Sequence, residues 1–134
     1  MTIIKLKRIY ERRDITDGER IFVDRLWPRG VRHSTTNVDL WFKDVAPTKE
    51  LRKWFRHDPK RWVEFKSKYK KELENSSALE RLARIAIASD IITLVYASKD
   101  VKRNNAVVLK NVLEFKIKSM VANGYTAKMR YGYG

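Results

Sequence analysis

The spacing of hydrophobic positions predicts three strands. A half-alternating run of apolar and basic residues at 3–10 indicates the first strand, and an apolar, β-rich stretch at 20–26 indicates the second. The second strand is expected to end at Trp27-Pro28, because proline cannot donate to the ladder. A continuous apolar, β-branched run at 91–97 is typical of a strand buried on both faces of a parallel sheet. The turn at Asp17-Gly18 leaves open whether the first two strands run parallel or antiparallel.

The helical spacing of three and four residues recurs in four segments. Asp58 before Pro59 and Ser76 or Ser77 are the expected caps of the second and third helices. Asn123-Gly124 closes the fourth helix. Polar segments without periodicity, at 30–37 and 98–105, are predicted loops. The predicted helices cover residues 47–55, 59–74, 76–89 and 106–121.

Strands followed by helices predict a small α/β domain of three layers, with a mainly parallel sheet flanked by helices. Residues 1–124 are expected to form this single domain, and residues 125–134 a tail or an added edge strand. In such a sheet the ligand crevice lies outside the carboxyl ends of the strands. We therefore expect a site between the loop at 24–30 and the loop at 98–105.

Composition excludes several classes of function. A chain of 134 residues that is 43% hydrophobic is one packed domain, neither two full domains nor a disordered chain. The absence of Cys excludes a disulfide framework and a Cys nucleophile, and the two His residues give little basis for a metal site. No apolar run reaches membrane-spanning length, and the first ten residues lack the apolar core of a signal peptide. We expect a cytoplasmic protein without a membrane partner; the sequence names no cofactor and no oligomeric state.

Net charge is the strongest compositional signal. Thirty Lys and Arg against 16 Asp and Glu give a formal charge of +14, spread over the whole chain rather than gathered in a tail. Such a field attracts anionic partners, which include small anions, nucleic acid and acidic protein surfaces. A spread charge does not choose among these partners, and it is also typical of a merely soluble surface.

The two loops at the expected crevice carry the candidate binding residues. Arg25 and Arg29 could clamp a phosphate or carboxylate, since the planar guanidinium bonds two oxygens at once. Asp24 and His57 are the candidate catalytic, proton-exchanging groups. The remaining candidate ligand-binding residues are Trp27, Tyr96, Lys99 and Asn104.

Five of these candidates also have a structural interpretation. Asp24 and Arg25 could cap the sheet while Trp27 packs in the core. Asn104 or Asn105 could be an ordinary helix cap, and His57 a local hydrogen-bond partner.

Aromatic and basic residues alternate at 41–62, as on surfaces that stack single-stranded nucleic acid. The aromatic residues include Trp41, Trp54 and Trp62. The helical spacing of Trp54 and Trp62 with their aromatic neighbours is more typical of a core stripe.

The segment VDRLWPRG at 23–30 resembles the YeaO-like family of uncharacterised proteins, a branch of the DUF 488 group of domains of unknown function. The segments LRKWF at 51–55, HDP at 57–59, LVYA at 94–97 and NNAVVL at 104–109 also fit, so the resemblance spans about residues 3–115. It implies an α/β fold and no established reaction, substrate or cofactor. The family-motif positions, which carry no assigned role, are Asp24, Arg25, Trp27, Arg29, Trp54, His57, Tyr96 and Asn104.

The chain departs from the family pattern at His33, where the family usually has Lys, and at Arg103, where His often precedes the matching Asn. Distant branches carry a Cys-containing loop after the last strand, and this chain has none, so a thiol mechanism is not expected.

Three functions follow as hypotheses. The first is a protein, enzymatic or not, that binds a phosphate-bearing or otherwise anionic small ligand in the crevice. The second is a nucleic-acid-binding module that uses the spread basic surface. The third is a regulatory or protein-interaction domain without catalysis.

Overall fold

Four parallel strands form one sheet in which spatial order differs from chain order. A computed structural model describes residues 2–34 and 37–127, and its strands are β1 (Ile3–Arg8), β2 (Glu19–Phe22), β3 (Leu40–Trp41) and β4 (Ile91–Tyr96). The order across the sheet is β1-β4-β2-β3, and every pairing is parallel. The predicted α/β class is therefore confirmed. Because β4 lies between β1 and β2, these two strands are parallel and are not neighbours.

Strand β4 is central because it is buried on both faces, and apart from Thr93 all its side chains are apolar. Residues Ile92 to Tyr96 are all buried, and Leu94 lies between Leu6 of β1 and Ile21 of β2 in the register of the sheet. A strand that is buried on both sides is found where both faces of the sheet are covered. The continuous apolar run of the sequence thus identifies the middle of the sheet.

Four helices cover one face of the sheet. They are α1 (Lys49–Phe55), α2 (Trp62–Glu74), α3 (Ser77–Ser89) and α4 (Asn105–Ala122). The side chains of Thr48, Ser76 and Asn104 cap α1, α3 and α4 by accepting from backbone N–H groups of the first turn. All four helices contribute to one large core with the sheet residues Ile4, Ile21 and Leu94.

The layer on the opposite face consists of loops and a single 3₁₀ turn at Ile15–Asp17. One half of it is an aromatic cluster in which Trp27 and Trp41 pack against Phe22 of β2. The other half is polar: the carboxylate of Asp17 is fully buried and bonds the guanidinium of Arg20, which is also fully buried. The loop layer is therefore held by aromatic packing in one half and by a buried ion pair in the other.

Element boundaries differ from the predictions in several places. The strand expected at 20–26 ends at Phe22, because the chain turns away after Val23 bonds Val95. The strand expected at 3–10 ends at Arg8: the N–H of Ile9 still donates to the carbonyl of Tyr96, and the chain then turns, with the N–H of Glu11 donating to the carbonyl of Arg8. The helix expected at 59–74 begins with a 3₁₀ turn at Pro59–Arg61, which Asp58 caps as predicted. The two-residue strand β3 was not predicted.

The expected C-terminal tail or edge strand lies mostly outside the described residues, which end at 127. Within them, the N–H of Tyr125 donates to the carbonyl of Met120, so the chain still touches α4 at this point. In the part of the chain that the structure describes, no helix combines the length and apolarity that crossing a membrane requires.

Candidate functional site

The chain leaves β2 and β4 toward opposite faces of the sheet. After β2 it enters the aromatic cluster with Trp27, whereas after β4 it enters α4, which packs in the helical core. Two neighbouring parallel strands whose connections diverge in this way leave a crevice at their carboxyl ends. The crevice predicted from the sequence between residues 24–30 and 98–105 therefore has a topological cause.

A cleft of about 260 Å³ lies at this position. Its charged and titratable lining groups are one carboxylate, Asp24, two guanidinium groups, Arg25 and Arg52, and the imidazole of His57. With the imidazole neutral, the lining still carries one more positive than negative charge. The other lining residues are Leu26, Pro47, Phe55, Phe65, Ala97, Ser98, Asn104 and Asn105.

Asp24 joins the ends of the two strands. Its Oδ2 accepts from the N–H of Ala97 at 3.0 Å, and its carbonyl accepts from the indole of Trp41 at 2.8 Å. Its Oδ1 is buried and has no hydrogen-bond partner among residues 2–34 and 37–127. Burial raises the pKa of this carboxyl, although the Ala97 N–H, the Asn105 side chain and the nearby charges of His57 and Arg52 act in the opposite direction. A carboxyl with a raised pKa in a cleft is a feature of functional sites.

Arg25 is held in the cleft by the segment that leads into α1. Its Nε donates to the carbonyl of Pro47 at 3.0 Å, and its Nη2 donates to the carbonyl of Ala46 at 3.4 Å. These bonds fix the guanidinium plane and use one edge of it. A guanidinium oriented in this way loses little entropy when another of its N–H groups binds an anion.

His57 reaches the cleft through a strained turn at the end of α1. Arg56 and His57 both have left-handed backbone angles, with φ of 53° and 55°. Helix α1 cannot continue through Asp58, which precedes Pro59 and is extended, because proline disfavours the helical conformation of the residue before it. Two consecutive non-glycine residues in this region are uncommon, and such strain concentrates at functional sites.

Helix α1 contributes both a cation and an apolar wall. Arg52 and Phe55 are three residues apart, which places them on one face of the helix. Phe55 stacks on Phe65 of α2, with ring centroids 4.2 Å apart. The cleft is thus charged near Asp24 and aromatic beside α2.

The two asparagines at the start of α4 hold the other wall. Asn104 caps the helix: its Oδ1 accepts from the N–H of Val107, and its Nδ2 donates to the carbonyl of Asp100. The amide of Asn105 donates to the carbonyl of Val23 at 3.1 Å and so ties α4 to the end of β2. The structural interpretation of Asn104 as a cap holds, and the residue lines the cleft as well.

Of the residues predicted from the sequence, the structure brings together Asp24, Arg25, His57 and Asn104. Trp27 lies on the other face of the sheet, where its ring stacks on His33 at 3.8 Å and its indole donates to the carbonyl of Val31. Arg29 and Lys99 are exposed side chains that do not line the cleft within the described residues.

Tyr96 is buried at the end of β4 and is not among the described residues that line the cleft. Burial is the main cause that raises the pKa of its phenol, with a smaller contribution in the same direction from the Glu11 charge.

Several lining residues were not singled out as site residues by the sequence. Arg52 entered through the aromatic and basic alternation and through the family segment at 51–55, and Phe55 and Phe65 as core positions and family matches. The signal available for Arg52 was its place in that family segment, directly before the segment at 57–59 that contains His57.

The tryptophans do not form an open stacking surface. The guanidinium of Arg61 and the ammonium of Lys68 lie 5.2 and 4.9 Å from the ring centroid of Trp54. Trp62 stacks on Phe65, and Trp41 packs against Trp27. These rings are engaged in contacts within the protein, as the helical spacing predicts for Trp54 and Trp62.

A second, more open depression of about 350 Å³ lies at the carboxyl end of β1. It is lined by the segments at 9–12 and 30–32 together with Asn37, and its one carboxylate, Glu11, already accepts from the N–H of Arg8. Across residues 2–34 and 37–127, no three His, Asp or Glu side chains cluster closely enough to hold a metal ion.

Comparison with known proteins places this architecture in a family. A family model described as an inactive DUF488-N3 subclade matches residues 3–129. The chain is 45% identical over 112 residues to an uncharacterised protein of Mycobacterium tuberculosis (strain ATCC 25618 / H37Rv), covering 84% of this chain and 94% of the relative. It is 39% identical over 111 residues to the uncharacterised protein YeaO of Escherichia coli (strain K12), covering 82% and 96%. No solved structure matches the chain significantly. The resemblance seen in the sequence is therefore confirmed, and the chain belongs to the YeaO-like branch of the DUF488 family.

Proposed function

We propose that this protein binds a small organic anion, such as a phosphate-bearing metabolite, in the cleft at the carboxyl ends of β2 and β4. The observation that supports this most directly is the lining itself. Arg25, Arg52 and His57 converge around a single carboxylate at the topological switch point of the sheet. Guanidinium groups bind phosphate and carboxylate oxygens in pairs, so the surplus of positive charge selects an anion.

Binding without turnover is the form of this function that the family favours. The description of the matching family model contains the word inactive, and this chain has no Cys for a thiol mechanism. Asp24 and His57 remain the two groups that would exchange protons with a bound ligand if a reaction took place. The proposal requires neither of them to turn over a substrate.

Thermal unfolding in the presence of candidate ligands tests the proposal. The panel contains inorganic phosphate, sugar phosphates, nucleotides, and short DNA and RNA, each at low and high salt. A ligand that binds only the folded state stabilises it by about 2.7 kcal/mol at one hundred times its Kd. We expect a small anion to raise the melting temperature at both salt concentrations, because Arg25 is partly buried and salt screens its contacts less than those of an exposed charge.

A matched pair of variants assigns any effect to the cleft. Arg52→Gln and Lys53→Gln each remove one exposed positive charge from adjacent positions of α1, but only Arg52 lines the cleft. We expect the first to abolish most of the stabilisation and the second to preserve it. Equal effects of the two variants would contradict the proposal and indicate a general charge effect.

The same panel separates the other two hypotheses. Stabilisation by oligonucleotides alone, lost at high salt, would favour the spread basic surface and contradict a small-ligand cleft. No stabilisation by any member would leave a protein partner as the remaining hypothesis.

A further inference from the structure

The cleft contains a hydrogen-bonding group that the protein itself does not satisfy. Oδ1 of Asp24 is one of two buried side-chain atoms without a partner in the described residues; the other is the phenol oxygen of Tyr125, which is not among those lining the cleft. Buried polar atoms in folded proteins are nearly always hydrogen-bonded, so each exception requires an explanation.

A change of protonation at Asp24 does not remove the exception. An ionised Asp24 leaves an unpaired acceptor at Oδ1, and a protonated one leaves an unpaired hydroxyl or acceptor at the same place. The immediate neighbours do not satisfy it in the structure. The N–H of Ala97 donates to Oδ2, and the Asn105 amide, which lies near this carboxylate, donates to the carbonyl of Val23 and leaves Oδ1 without a partner.

The groups around Asp24 show what kind of molecule would complete the site. Arg25 and Arg52 provide donors for an anionic group, and they cannot accept a hydrogen bond. Asp24 contributes the lining carboxylate oxygen that is still free to accept. The stacked rings of Phe55 and Phe65 form an apolar wall beside these polar groups.

We propose that the ligand is a hydroxylated organic anion, whose phosphate or carboxylate binds the two arginines and whose hydroxyl donates to Oδ1 of Asp24. This inference rests on the proposed anion-binding function and adds the feature that selects the ligand. A simple anion would satisfy the arginines and leave Oδ1 unpaired. A site that holds a buried polar group for a ligand hydroxyl discriminates strongly against the analogue that lacks it.

Substitution of Asp24 by Asn reverses the hydrogen-bonding requirement at this position. The N–H of Ala97 needs an acceptor, so the new side chain must present its amide oxygen there. Its NH₂ group then takes the place of Oδ1 and donates where the carboxylate accepted. A ligand hydroxyl can still accept from this NH₂ group, but that bond is neutral, whereas a hydroxyl that donates to the carboxylate makes a stronger, charge-assisted bond. Asp24→Asn should therefore weaken the preference for a hydroxyl without a change of shape.

Calorimetric titration with matched ligand pairs tests this inference. One pair is glycerol 3-phosphate and propyl phosphate, and the other is 3-phenyllactate and 3-phenylpropionate. In each pair the second compound keeps the anionic group and lacks the hydroxyls. We expect the wild-type protein to bind the hydroxylated member of at least one pair about ten times or more as tightly as its partner, and Asp24→Asn to reduce this ratio about threefold or more.

Asp90→Asn is the control substitution. Asp90 is exposed at the amino end of β4, opposite the cleft, and its φ of 63° is one that Asn tolerates well. This variant should keep the wild-type ratio, which shows that loss of one negative charge is not responsible. Circular dichroism and urea unfolding establish that both variants are folded.

The outcomes separate this inference from the proposed function. If both members of every pair bind wild-type protein equally and Arg52→Gln abolishes the binding, the cleft binds anions but the role of Asp24 is wrong. If no member of either pair binds and the anion panel also fails, both proposals are wrong. An unchanged ratio in Asp24→Asn would overturn the assignment to Asp24, and this result needs no assumption about folding.

Discussion

The buried charge of Asp17 provides the sharpest test of how this fold is held together. Its carboxylate accepts hydrogen bonds from the ammonium groups of Lys5 and Lys7, from the guanidinium of Arg20 and from the N–H of Asp14. Asp17 and Arg20 are both 0% exposed. We expect Asp17→Asn to lower the free energy of unfolding by about 3–5 kcal/mol, because it leaves the guanidinium of Arg20 buried without its counter-charge.

The magnitude follows from what the other donors to this carboxylate can do after the substitution. Lys5 and Lys7 are partly exposed, so their ammonium groups can return to water at little cost. Arg20 cannot do so, since its other bonds, to the carbonyls of Asn37 and Glu11, hold it in the interior. The uncompensated charge of Arg20 is thus the dominant contribution. For a domain of this size the loss corresponds to a fall in Tm of roughly 10–20 °C.

The pH dependence of the loss has a definite sign. Burial of Asp17 by itself would raise the pKa of its carboxyl, but the bonds from Lys7, the Asp14 N–H, Lys5 and Arg20 outweigh it and hold the pKa well below 3.8. The stabilisation that the Asp17 carboxylate contributes is therefore fully present above the unfolded-state pKa, and it is lost as the pH falls through the lower folded-state pKa. The difference between wild type and variant should be constant from about pH 5 to 8 and shrink below pH 4.

Urea unfolding of the two proteins at several pH values measures this difference. Asp44→Asn is the control, because its ion pair with Arg81 is exposed and should contribute about 0–1 kcal/mol. The double variant Asp17→Leu with Arg20→Met removes both buried charges and should recover part of the loss. If Asp17→Asn lowered the free energy of unfolding by less than about 1 kcal/mol, the reasoning would be refuted, because a buried Arg20 guanidinium without its counter-charge should be strongly destabilising.

Four further predictions concern single positions. Asp24→Asn should stabilise the protein at neutral pH. The pKa of the Asp24 carboxyl is raised in the folded state, so its ionisation above pH 3.8 weakens the fold, and asparagine does not ionise. In urea unfolding at several pH values, the gain in the free energy of unfolding should vanish below about pH 4. Gly18→Ala should lower the free energy of unfolding by about 2 kcal/mol or more, because the new Cβ would lie 2.1 Å from the carbonyl oxygen of Ile91. Gly30→Ala, at a similar positive φ but in open space, should lower it by only about 1–2 kcal/mol. Arg56→Gly should raise the free energy of unfolding by about 1 kcal/mol, because glycine adopts its φ of 53° without strain; an unchanged urea midpoint would contradict this. Tyr69→Phe should lower the free energy of unfolding by about 1–2 kcal/mol, because it leaves the buried carbonyl of Val45 without the phenol that donates to it at 2.6 Å. Calorimetric unfolding measures this loss, and an unchanged stability would show that the bond contributes nothing.

The fold was predictable where local pattern and burial agree. The apolar run at β4 identified the central strand, and Ser76 and Asp58 identified helix starts to within a residue. Strand β3 was not predictable in this way, because two residues carry no periodicity. It forms because Asp39 and Phe42 bond the backbone of β2 on either side of it. The sequence also could not order β1 and β2, since the pairing of each with β4 joins residues more than 70 positions apart in the chain.

The site was predictable to the extent that it follows from strand ends. Asp24, Arg25 and Asn104 lie within a few residues of β2 or α4, so the general location of crevices in parallel sheets was sufficient to select them. The same rule also selected Trp27, which the chain carries to the other face of the sheet within five residues of Phe22. Which face a strand exit takes is decided by tertiary packing, and no local pattern records it.

The lone oxygen of Asp24 shows most clearly what sequence could not supply. An Asp at a strand end is expected to cap backbone N–H groups, and Oδ2 does so at Ala97. The second oxygen is buried without a partner, although the Asn105 amide, which donates to the carbonyl of Val23, lies near the carboxylate and acts to lower its pKa. The direction in which this amide donates is decided by the packing of α4 against β2, and no local pattern records it. Asn105→Ala removes the amide both from Val23 and from the surroundings of Asp24. If the preference for a hydroxylated anion survives that change, Asp24 selects the ligand independently of α4.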